Sequence, residues 1–422
     1  MPVAGRQRRE KGVVLSFKWQ ASVLVVAACL DFVVGDPWGW LHPVQVMGWV
    51  ISWYSDRMIR WSPSPATMKL AGVGLAILLI GGTFGVSAVG LSLLARLSPI
   101  LRWVCECVLL ASCFAGRSLR QAAADVLHPL SQAEPSSEET ESPESKDYGS
   151  ANNDLEDHSP EGRSSEEYSA TANNLAAERK QKASRKVSES ALEQARERLA
   201  LYVGRDTAQL SAKEVRRAVL ETVSENAIDG VLAPLFYAIL GAIVGWAAPM
   251  ALTYKAASTL DSMVGYREAP YTDLGWFSAQ FEDALTWVPC RFSVVMIALI
   301  SGRPRQVLRL CWRDAREDPS PNAGWSECAY AAALGVQLGG TNTYRGKVKV
   351  KPTLGDDTRP ITNSAIVHAL RLTRWSFLVG LLTGIGIFLS VFQSSTPYFS
   401  YFSKLFEALG RLQLGVVITF LF

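Results

Sequence analysis

The sequence predicts an all-α, polytopic helical membrane protein with four to six transmembrane helices and a long disordered acidic insertion. Hydrophobic residues make up 49% of the 422 positions, and the mean hydropathy is positive. A helix that crosses a bilayer needs about 20 mostly apolar residues, because lipid cannot hydrogen-bond to free backbone groups. Three windows carry no charge, at residues 70–95, 231–254 and 375–403, and two weaker windows, at 20–35 and 284–302, each contain one charged residue.

Charge and cysteine content argue against two classes of protein. The formal charge of +3 is small, and the lysines and arginines are scattered instead of forming one basic stripe, so nucleic-acid binding is not expected. The seven cysteines include no C-x-x-C pair and are odd in number, so they predict neither a zinc site nor a disulfide framework.

The amino-terminal segment combines four basic residues between positions 6 and 11 with an apolar stretch that reaches about residue 28. This pattern is typical of a secretory signal, and a mitochondrial address is a further alternative. We favour an uncleaved first helix, because a Gly35-Asp36-Pro37 turn and His42 follow at once. The basic start favours a cytosolic amino terminus, and the five arginines between 303 and 316 favour a cytosolic position of their loop. We therefore expect an integral, multi-pass protein of a bacterial plasma membrane, or of an organellar membrane in a eukaryote.

Composition changes abruptly between Ser131 and Leu201, where Glu, Asp, Ser and Asn dominate and Phe, Trp and Ile are absent. Such a segment cannot bury enough apolar surface to offset its chain entropy. We expect disorder over residues 134–167 and helix over 176–202. The chain thus divides into an N-terminal membrane region (1–130), an acidic insertion with a helical linker (131–200), a core membrane and catalytic region (201–370) and C-terminal membrane segments (371–422).

The first chemical pattern follows a capping box, Ser211 with Glu214, which begins a helix. Glu221, Glu225 and Asp229 then follow at four-residue steps, so they share one face if the helix continues that far. They stand just before an uncharged window, where their mutual repulsion needs a metal ion, a cation or a proton to offset it. The alternative is a solvated helix end with ordinary ion pairs.

A second polar stretch follows that window. Lys255 comes directly after it, and Asp261 and Arg267 follow shortly afterwards. A lysine at the end of a membrane helix is often only a snorkelling anchor. The acids and the arginine after it favour a polar site.

Two loops add candidate residues. Residues 35–43 combine a turn, an acid and His42, one of only four histidines, although a tight turn that carries interfacial tryptophans is the alternative. Residues 338–347 form a glycine-rich loop whose free backbone amides, next to cations, suit a phosphate. It is not a Walker A loop, because Val348 follows Lys347 where Ser or Thr would stand.

In their order along the chain, these stretches resemble the adenosylcobinamide-phosphate synthase family, the CbiB/CobD-type membrane proteins of cobalamin biosynthesis. The resemblance rests on short motifs: D-x-x-x-G-D-P from Asp31 with His42-Pro43 after it, E-T-V-S-E-N-A-I-D-G from Glu221, L-D-S-M-V-G-Y-R from Leu260, P-S-P-N-A-G from Pro319 and L-G-G-x-N-x-Y from Leu338. Together with shorter matches they cover most of the chain outside the acidic segment. The insertion of residues 134–190 is longer than the family leads us to expect.

The resemblance implies an amide-forming acid–amine ligase. Members of the family join aminopropanol, or its phosphate, to a propionate of adenosylcobyric acid and give adenosylcobinamide or its phosphate. A carboxylate does not react with an amine at neutral pH, so the resemblance implies activation by ATP through an acyl phosphate, together with Mg²⁺. Other enzymes of the cobalamin pathway are candidate partners, besides membrane lipid.

Candidates for each role in such a reaction are hypotheses at this point. The catalytic candidates are Glu221, Glu225, Lys255 and His42, with Glu225 or His42 as the base. The metal candidates are Glu221, Glu225 and Asp229. The substrate-binding candidates are Asn226, Asp261, Arg267, Asn322, Gly339, Gly340, Asn342 and Arg345. His42 belongs to the site only if the first segment returns it to the side of the other residues.

Two functions of other classes stay open. One is a membrane corrinoid transporter, but the polar motifs cluster at helix ends and in loops, and no inverted repeat is evident, which argues against it. The other is a non-catalytic scaffold that recruits cobalamin-pathway enzymes through the acidic segment. A scaffold predicts that deletion of residues 134–190 abolishes function while Glu225→Gln does not.

Overall fold

The computed structural model describes residues 2–35, 42–61, 64–133 and 187–393, and most of them are helical. The stretch 134–167 that we expect to be disordered, the Asp36-Pro37 turn and the chain beyond residue 393 lie outside the described residues. The division into four domains stays a prediction.

Twelve helices and a β-hairpin follow one another within the described residues. They are α1 (Pro2–Val33), α2 (Pro43–Trp61), α3 (Pro65–Leu97), α4 (Pro99–Ala111), α5 (Gly116–Ala133), α6 (187–200), α7 (Ala212–Ile243), α8 (Ala247–Val264), α9 (Trp276–Ile300), α10 (Pro304–Asp314), α11 (Ala323–Leu334), β1 (Leu338–Tyr344), β2 (Lys347–Leu354) and α12 (Asn363–Gln393). Two of the helices contain a five-residue π turn, Ile77–Gly81 in α3 and Ile228–Leu232 in α7.

Local sequence explains where several of these helices begin. Ser64 and Ser98 each precede a proline and accept a hydrogen bond from the first turn, which satisfies one free backbone donor. The predicted capping box at the start of α7 is confirmed. The Glu214 carboxylate accepts the Ser211 backbone N–H at 2.8 Å, while the Ser211 hydroxyl accepts the Glu214 N–H.

Five helical stretches of the described residues are long and apolar enough to cross a membrane, which agrees with the four to six that the sequence predicts. They are Pro65–Leu97, Pro99–Ser131, Ala212–Ile243, Trp276–Ile300 and Asn363–Ile387. Large apolar side chains on these helices, such as Ile77, Val86 and Leu382, are exposed. Contiguous apolar surface of this kind faces lipid. The chain is therefore an integral, multi-pass membrane protein.

The uncharged window 231–254 does not form one helix, which corrects the expectation from sequence. The chain reverses between α7 and α8, where Gly245 adopts a φ of +83° and Trp246 donates its N–H to the Gly241 carbonyl oxygen at 2.7 Å. A Cβ on Gly241 would clash with the backbone of Trp246, so the turn requires a glycine there. The window contains no charged residue at the turn, and its pattern therefore looked like a single span. The result is a helical hairpin.

A buried carboxylate ties the tip of this hairpin to the rest of the membrane region. Glu106 of α4 is fully buried and accepts hydrogen bonds from Trp19 Nε1 at 2.9 Å and Gln20 Nε2 at 3.0 Å. The Gln20 side-chain oxygen in turn accepts the N–H of Ala247, at the start of α8, at 3.3 Å. Arg102 lies 3.6 Å from the Glu106 carboxylate and balances its charge. One polar network thus holds α1, α4 and α8 together.

Buried apolar residues form two cores. The head core, which includes Leu130, Leu220 and Leu310, joins α5, α6, the first half of α7, the second half of α9, α10, α11 and the strands. The membrane core, which includes Leu24 and Leu252, joins α1 to α4, the second half of α7, and α8. Helices α7 and α12 contribute residues to both cores. Polar residues of α7, α8 and α9 that the sequence analysis singled out lie where the two cores meet.

The segment 338–347, expected to be a glycine-rich loop, instead forms β1 and the turn into β2. The two strands pair antiparallel, with Asn342 opposite Lys349 and Tyr344 opposite Lys347. Arg345 and Gly346 both have positive φ, at 50° and 76°, which is the geometry of a tight two-residue hairpin turn. The hairpin adds a small sheet to an otherwise helical protein.

Candidate active site

Charged side chains of α7, α8 and α9 gather between the two cores. We call this group, Asp229, Lys255, Asp261 and Glu282, the belt cluster. The charges of Glu282, Lys255 and Asp261 all act on Asp229, and the charge of Asp261 acts on Glu282. The helical hairpin of α7 and α8 explains the arrangement, because α8 returns along α7 and brings Lys255 back toward Asp229. The turn between α7 and α8 was not predicted from the sequence, but it brings together Asp229 and Lys255, which were.

Neutral side chains fix one wall of the belt cluster. The Thr286 hydroxyl donates to Glu282 Oε1, and the Tyr254 hydroxyl lies 2.9 Å from Thr286 Oγ1. The Tyr237 ring stacks on the Tyr254 ring at a centroid distance of 5.0 Å, and its hydroxyl donates to the Leu285 carbonyl. These contacts hold the Glu282 carboxylate in one orientation.

A second polar site, which we call the head chamber, is a cavity of about 150 Å³ beside Glu225. It lies between α7, α11, the strands and the segment before α7. Its charged and polar lining residues are Tyr202, Arg205, Glu221, Thr222, Glu225, Asn226, Glu327, Tyr344 and Lys351. A cavity lined by charges of both signs is suited to a charged ligand.

An ion pair forms one wall of the head chamber. Arg205 Nη2 lies 2.5 Å from Glu221 Oε2, and the other oxygen of Glu221 accepts the Gly339 N–H at 3.0 Å. Arg205 also donates to the Asn342 side-chain oxygen at 2.9 Å, and Arg217 donates to the same atom at 3.0 Å. Within the described residues, Arg205 Nε is buried without a hydrogen-bond partner. The Glu221 carboxylate is thus held in the wall by one ion pair and one backbone hydrogen bond, while Arg205 keeps one donor.

A second ion pair stands in the same cavity. Lys351 Nζ lies 3.3 Å from Glu327 Oε1, and Glu327 is fully buried. Burial raises the pKa of Glu327 to about 8, although the Lys351 charge opposes the shift. Burial alone would lower the pKa of Lys351, but Glu327 and Glu225 outweigh it and raise that pKa. In the described part of the chain, Glu327 Oε2 has no hydrogen-bond partner, which leaves an acceptor for a ligand.

Glu225 stands between the two sites. Its side chain lines the head chamber, where the charges of Lys351 and Asp318 act on it most strongly. Its own charge also acts on Asp229 and Asp261 of the belt cluster. Of the residues singled out in the sequence, it is the one that both sites share.

The predicted metal set of Glu221, Glu225 and Asp229 is divided between different surroundings. Glu221 pairs with Arg205, and Asp229, in the π turn, has Glu282 as its strongest electrostatic neighbour. Among the residues that the structure describes, no three His, Cys, Asp or Glu side chains form a group that could hold a metal by themselves. The assignment of these three residues to a metal stays a prediction.

Most of the glycine-rich segment has a structural role in the described contacts. The amides of Arg345 and Gly346 donate to the Asp206 carboxylate at 3.0 and 2.8 Å, just as Gly339 donates to Glu221. Gly340 has a φ of +86° and packs against Arg217. The proposed binding of a phosphate by Gly339, Gly340, Asn342 and Arg345 stays a prediction.

Three other predicted residues lie around the belt cluster or the head chamber. Asn322 donates to the Asp283 carbonyl at 2.9 Å, and its side-chain oxygen accepts from Arg291 at 2.8 Å. The charges of Asp283 and Glu225 act on Asp261, and the Arg267 charge acts on Asp283. Asn226 lines the head chamber and donates to the Thr222 carbonyl.

His42 directly precedes α2, and its Nδ1 accepts the Val44 N–H at 3.2 Å. Gly48, less than two turns further on, packs against Met263 near the end of α8, which also carries Asp261. The end of α1 reaches the same region, because Gly116 packs against Asp31 and the neighbouring Ala115 donates to the Gly230 carbonyl. The end of α1 and the start of α2 therefore both lie on the side of the belt cluster.

Sequence reasoning missed three residues of the head chamber, Arg205, Glu327 and Lys351. Glu327 left a signal, because it is the one acid in the otherwise apolar segment A-G-W-S-E-C-A-Y-A-A-A-L of α11. A lone acid that is buried in such a helix lowers the stability of the fold unless it is paired, so its presence indicates a functional role. Lys351 ends a K-V-K-V-K alternation, which is typical of a strand with one charged face.

Comparison with known proteins places the chain among relatives of one kind. The family described as CobD/Cbib protein matches residues 24–141 and 167–373. Cobalamin biosynthesis protein CobD of Synechocystis is 40% identical over 371 residues, which cover 87% of this chain and 92% of the relative. Cobalamin biosynthesis protein CbiB of Salmonella typhimurium is 34% identical over 351 residues, or 82% of this chain and 91% of the relative. No solved structure matches the chain.

Proposed function

Since this chain belongs to the CobD/CbiB family of cobalamin biosynthesis proteins, we propose that it is an adenosylcobinamide-phosphate synthase. In this proposal it joins aminopropanol, or aminopropanol phosphate, to a propionate of adenosylcobyric acid. The new bond is an amide. The observation that carries the proposal is the head chamber, where two cations and three carboxylates line one cavity.

The chemistry requires activation of the propionate. A carboxylate is resonance-stabilised, and an oxide ion is too poor a leaving group for an amine to displace it. Transfer of the γ-phosphoryl group of ATP to a carboxylate oxygen gives an acyl phosphate and ADP. Attack by the neutral amine then expels inorganic phosphate and forms the amide, while a base removes the proton of the ammonium. The site must therefore hold phosphates and also accept a proton.

The residues of the head chamber suit the phosphates of ATP and their counter-ion. Arg205 and Lys351 supply positive charge, and Arg205 retains the Nε donor. Magnesium in phosphoryl-transfer sites is commonly held by one or two carboxylates together with substrate phosphates and water. Glu225 and Glu327, with the unpartnered Oε2 of Glu327, fit that requirement without a third carboxylate. The ion would neutralise phosphate charge.

The belt cluster suits the other two reactants. Lys255 is its cation, and we assign it to the propionate carboxylate and to the acyl phosphate made from it. Asp229, Asp261 and Glu282 supply carboxyl oxygens that can accept hydrogen bonds from the incoming ammonium. Glu225 borders both sites and can take the ammonium proton as general base. We assign hydrogen bonds to the amide-fringed corrinoid to Asn226, Asp261 and Asn322. His42 lies on the same side of the site.

The test is a reconstituted reaction. The full chain, purified in detergent, receives adenosylcobyric acid, magnesium, ATP and either aminopropanol or its phosphate, and mass spectrometry detects the condensed product. We expect product with one of the amines, and a loss of at least about 100-fold in rate with Glu225→Gln. Glu193→Gln is the matched control, because Glu193 is an exposed partner of Arg196 on α6.

The alternatives give different results in the same preparation. A folded protein that makes no product with either amine would overturn the enzyme assignment. A scaffold loses function on deletion of residues 134–190 and keeps it in Glu225→Gln. A transporter moves labelled corrinoid into proteoliposomes without making an amide.

A further inference from the structure

A ladder of tryptophan and arginine side chains crosses the surface beside the belt cluster. The Arg291 guanidinium lies between two indole rings, 4.9 Å from the centroid of Trp287 and 4.8 Å from that of Trp325. Trp325 meets Trp312 edge to face at 6.5 Å, and Arg316 lies 3.7 Å from the Trp312 ring. We call these five residues the Trp–Arg ladder. It joins α9, α11 and α10, and its tryptophans Trp287 and Trp312 are 51% and 63% exposed.

Helix α10 has one buried face and one exposed basic face. Val307, Leu310 and Cys311 enter the head core, whereas Leu308 and Trp312 are exposed. The arginines at 303, 305, 309 and 316 are also exposed. Among the described residues, no carboxylate lies within ion-pair distance of Arg303, Arg305 or Arg309, whereas Arg313 pairs with Asp314 and Asp356. At these three arginines the face combines apolar and cationic groups.

The ladder begins at the edge of an apolar stripe. Val288, Phe292, Val295 and Leu299 recur at helical spacing on α9, and each is between 44% and 64% exposed. Helix α9 is a candidate membrane span, so this stripe faces hydrocarbon. The stripe adjoins the indole rings of the ladder, so one surface presents aliphatic, indole and guanidinium groups, the three kinds of group that proteins place against acyl chains, the interface and headgroups.

We propose that α10 and the Trp–Arg ladder bind the anionic phospholipid headgroups of the membrane leaflet on this side. Indole rings prefer the interface between hydrocarbon and water, and guanidinium groups match phosphate geometry. Arg305 and Arg309 lie one turn apart on the exposed face and present two donors to the same headgroup layer. Lipid would also cover the exposed aliphatic stripe next to them. A soluble protein partner bound at the arginines would leave that stripe exposed.

This contact has a consequence for the site. Arg291 of the ladder donates to Asn322, and Asn322 donates to the Asp283 carbonyl, directly beside the belt cluster. Binding of the ladder to headgroups therefore sets the height of the belt cluster at the membrane surface, where a large water-soluble substrate can reach it.

The experiment measures lipid binding and does not depend on the proposed function. The purified full chain in neutral detergent is titrated with phosphatidylglycerol or with phosphatidylcholine, and native mass spectrometry counts the retained lipid. Each arginine near an anionic surface strengthens binding by about fivefold, so Arg305→Gln/Arg309→Gln should weaken phosphatidylglycerol retention by about 30-fold. Phosphatidylcholine retention should not change. The matched control is Arg198→Gln/Lys213→Gln, which removes the same charge from exposed sites of α6 and α7.

A second measurement locates the contact. In vesicles that contain brominated lipid, tryptophan fluorescence is quenched by bromine at close range, and Trp312→Phe should lower the quenched fraction. Equal retention of phosphatidylglycerol by the double variant and the wild type would overturn the proposal, as would an equal loss in the control variant. Quenching that is unchanged by Trp312→Phe, with Trp312 shielded from an aqueous quencher, would point to a protein partner and would also overturn it.

Discussion

The Glu327–Lys351 pair gives the protein a pH-dependent stability that one substitution removes. Burial raises the pKa of Glu327 to about 8, from an ordinary value of 4.5. Between these pH values the folded protein keeps a proton on this carboxyl that the unfolded chain releases. The free energy of unfolding therefore falls as the pH rises from about 4.5 to about 8. Above that range the carboxyl is ionised in both states, and the loss of stability is complete.

The magnitude follows from the shift. The difference of 8 − 4.5 = 3.5 units corresponds to about 5 kcal/mol at 1.36 kcal/mol per unit. Glu327→Gln replaces the protonated acid by a neutral group of similar shape. We expect this variant to match the wild type near pH 4 and to be more stable by up to about 5 kcal/mol above pH 8.

Unfolding in detergent, followed by tryptophan fluorescence at a series of pH values, measures the difference. Glu193→Gln serves as control, because its exposed ion pair with Arg196 is worth less than about 1 kcal/mol and should leave the profile unchanged. Lys351→Met adds a second arm. It leaves the carboxylate buried and unpaired, should cost about 3–5 kcal/mol at high pH, and should be rescued by Glu327→Gln in the double variant. Parallel pH profiles for Glu327→Gln and the wild type would refute the reasoning.

Three further substitutions test other parts of the structure. Glu106→Ala removes the acceptor of two hydrogen bonds and leaves Arg102 unpaired in the membrane region, so we expect a loss of about 3–5 kcal/mol in the same unfolding assay, with no loss in Glu193→Gln. Gly339→Ala places a methyl group against the backbone of Pro352 at a φ of +83°, and should lower the free energy of unfolding by about 1–3 kcal/mol or more. An unchanged stability would contradict the strand geometry. Glu225→Asp shortens the proposed base by one methylene, and we expect kcat to fall by about tenfold or more while the unfolding midpoint stays close to that of the wild type. A normal kcat would exclude Glu225 as the base.

The fold was predictable where the signal is local. Charge-free windows mark spans because lipid excludes charge, and Ser211 with Glu214 marks a helix start because the two side chains satisfy backbone donors within one turn. The turn at Gly245 was not predictable in this way. Its residues are as apolar as the helices beside it, and its anchor, the Gln20–Glu106 network, comes from distant parts of the chain.

The candidate site shows the same division. Glu225 and Lys255 are conspicuous in sequence because each stands beside an uncharged window. Arg205 and Lys351 are inconspicuous, since basic residues are common on surfaces, and their position in the head chamber depends on the strands packing against α7 and α11. Only Glu327 could have been found, as a lone acid in an apolar helix.

The helices that the two cores share also bear on the order in which the protein can assemble. Ile366 belongs to the head core and Leu381 to the membrane core, so α12 completes both. A ribosome delivers α12 after every other described element. The head core therefore stays incomplete until the last described helix has been synthesised and has packed against it.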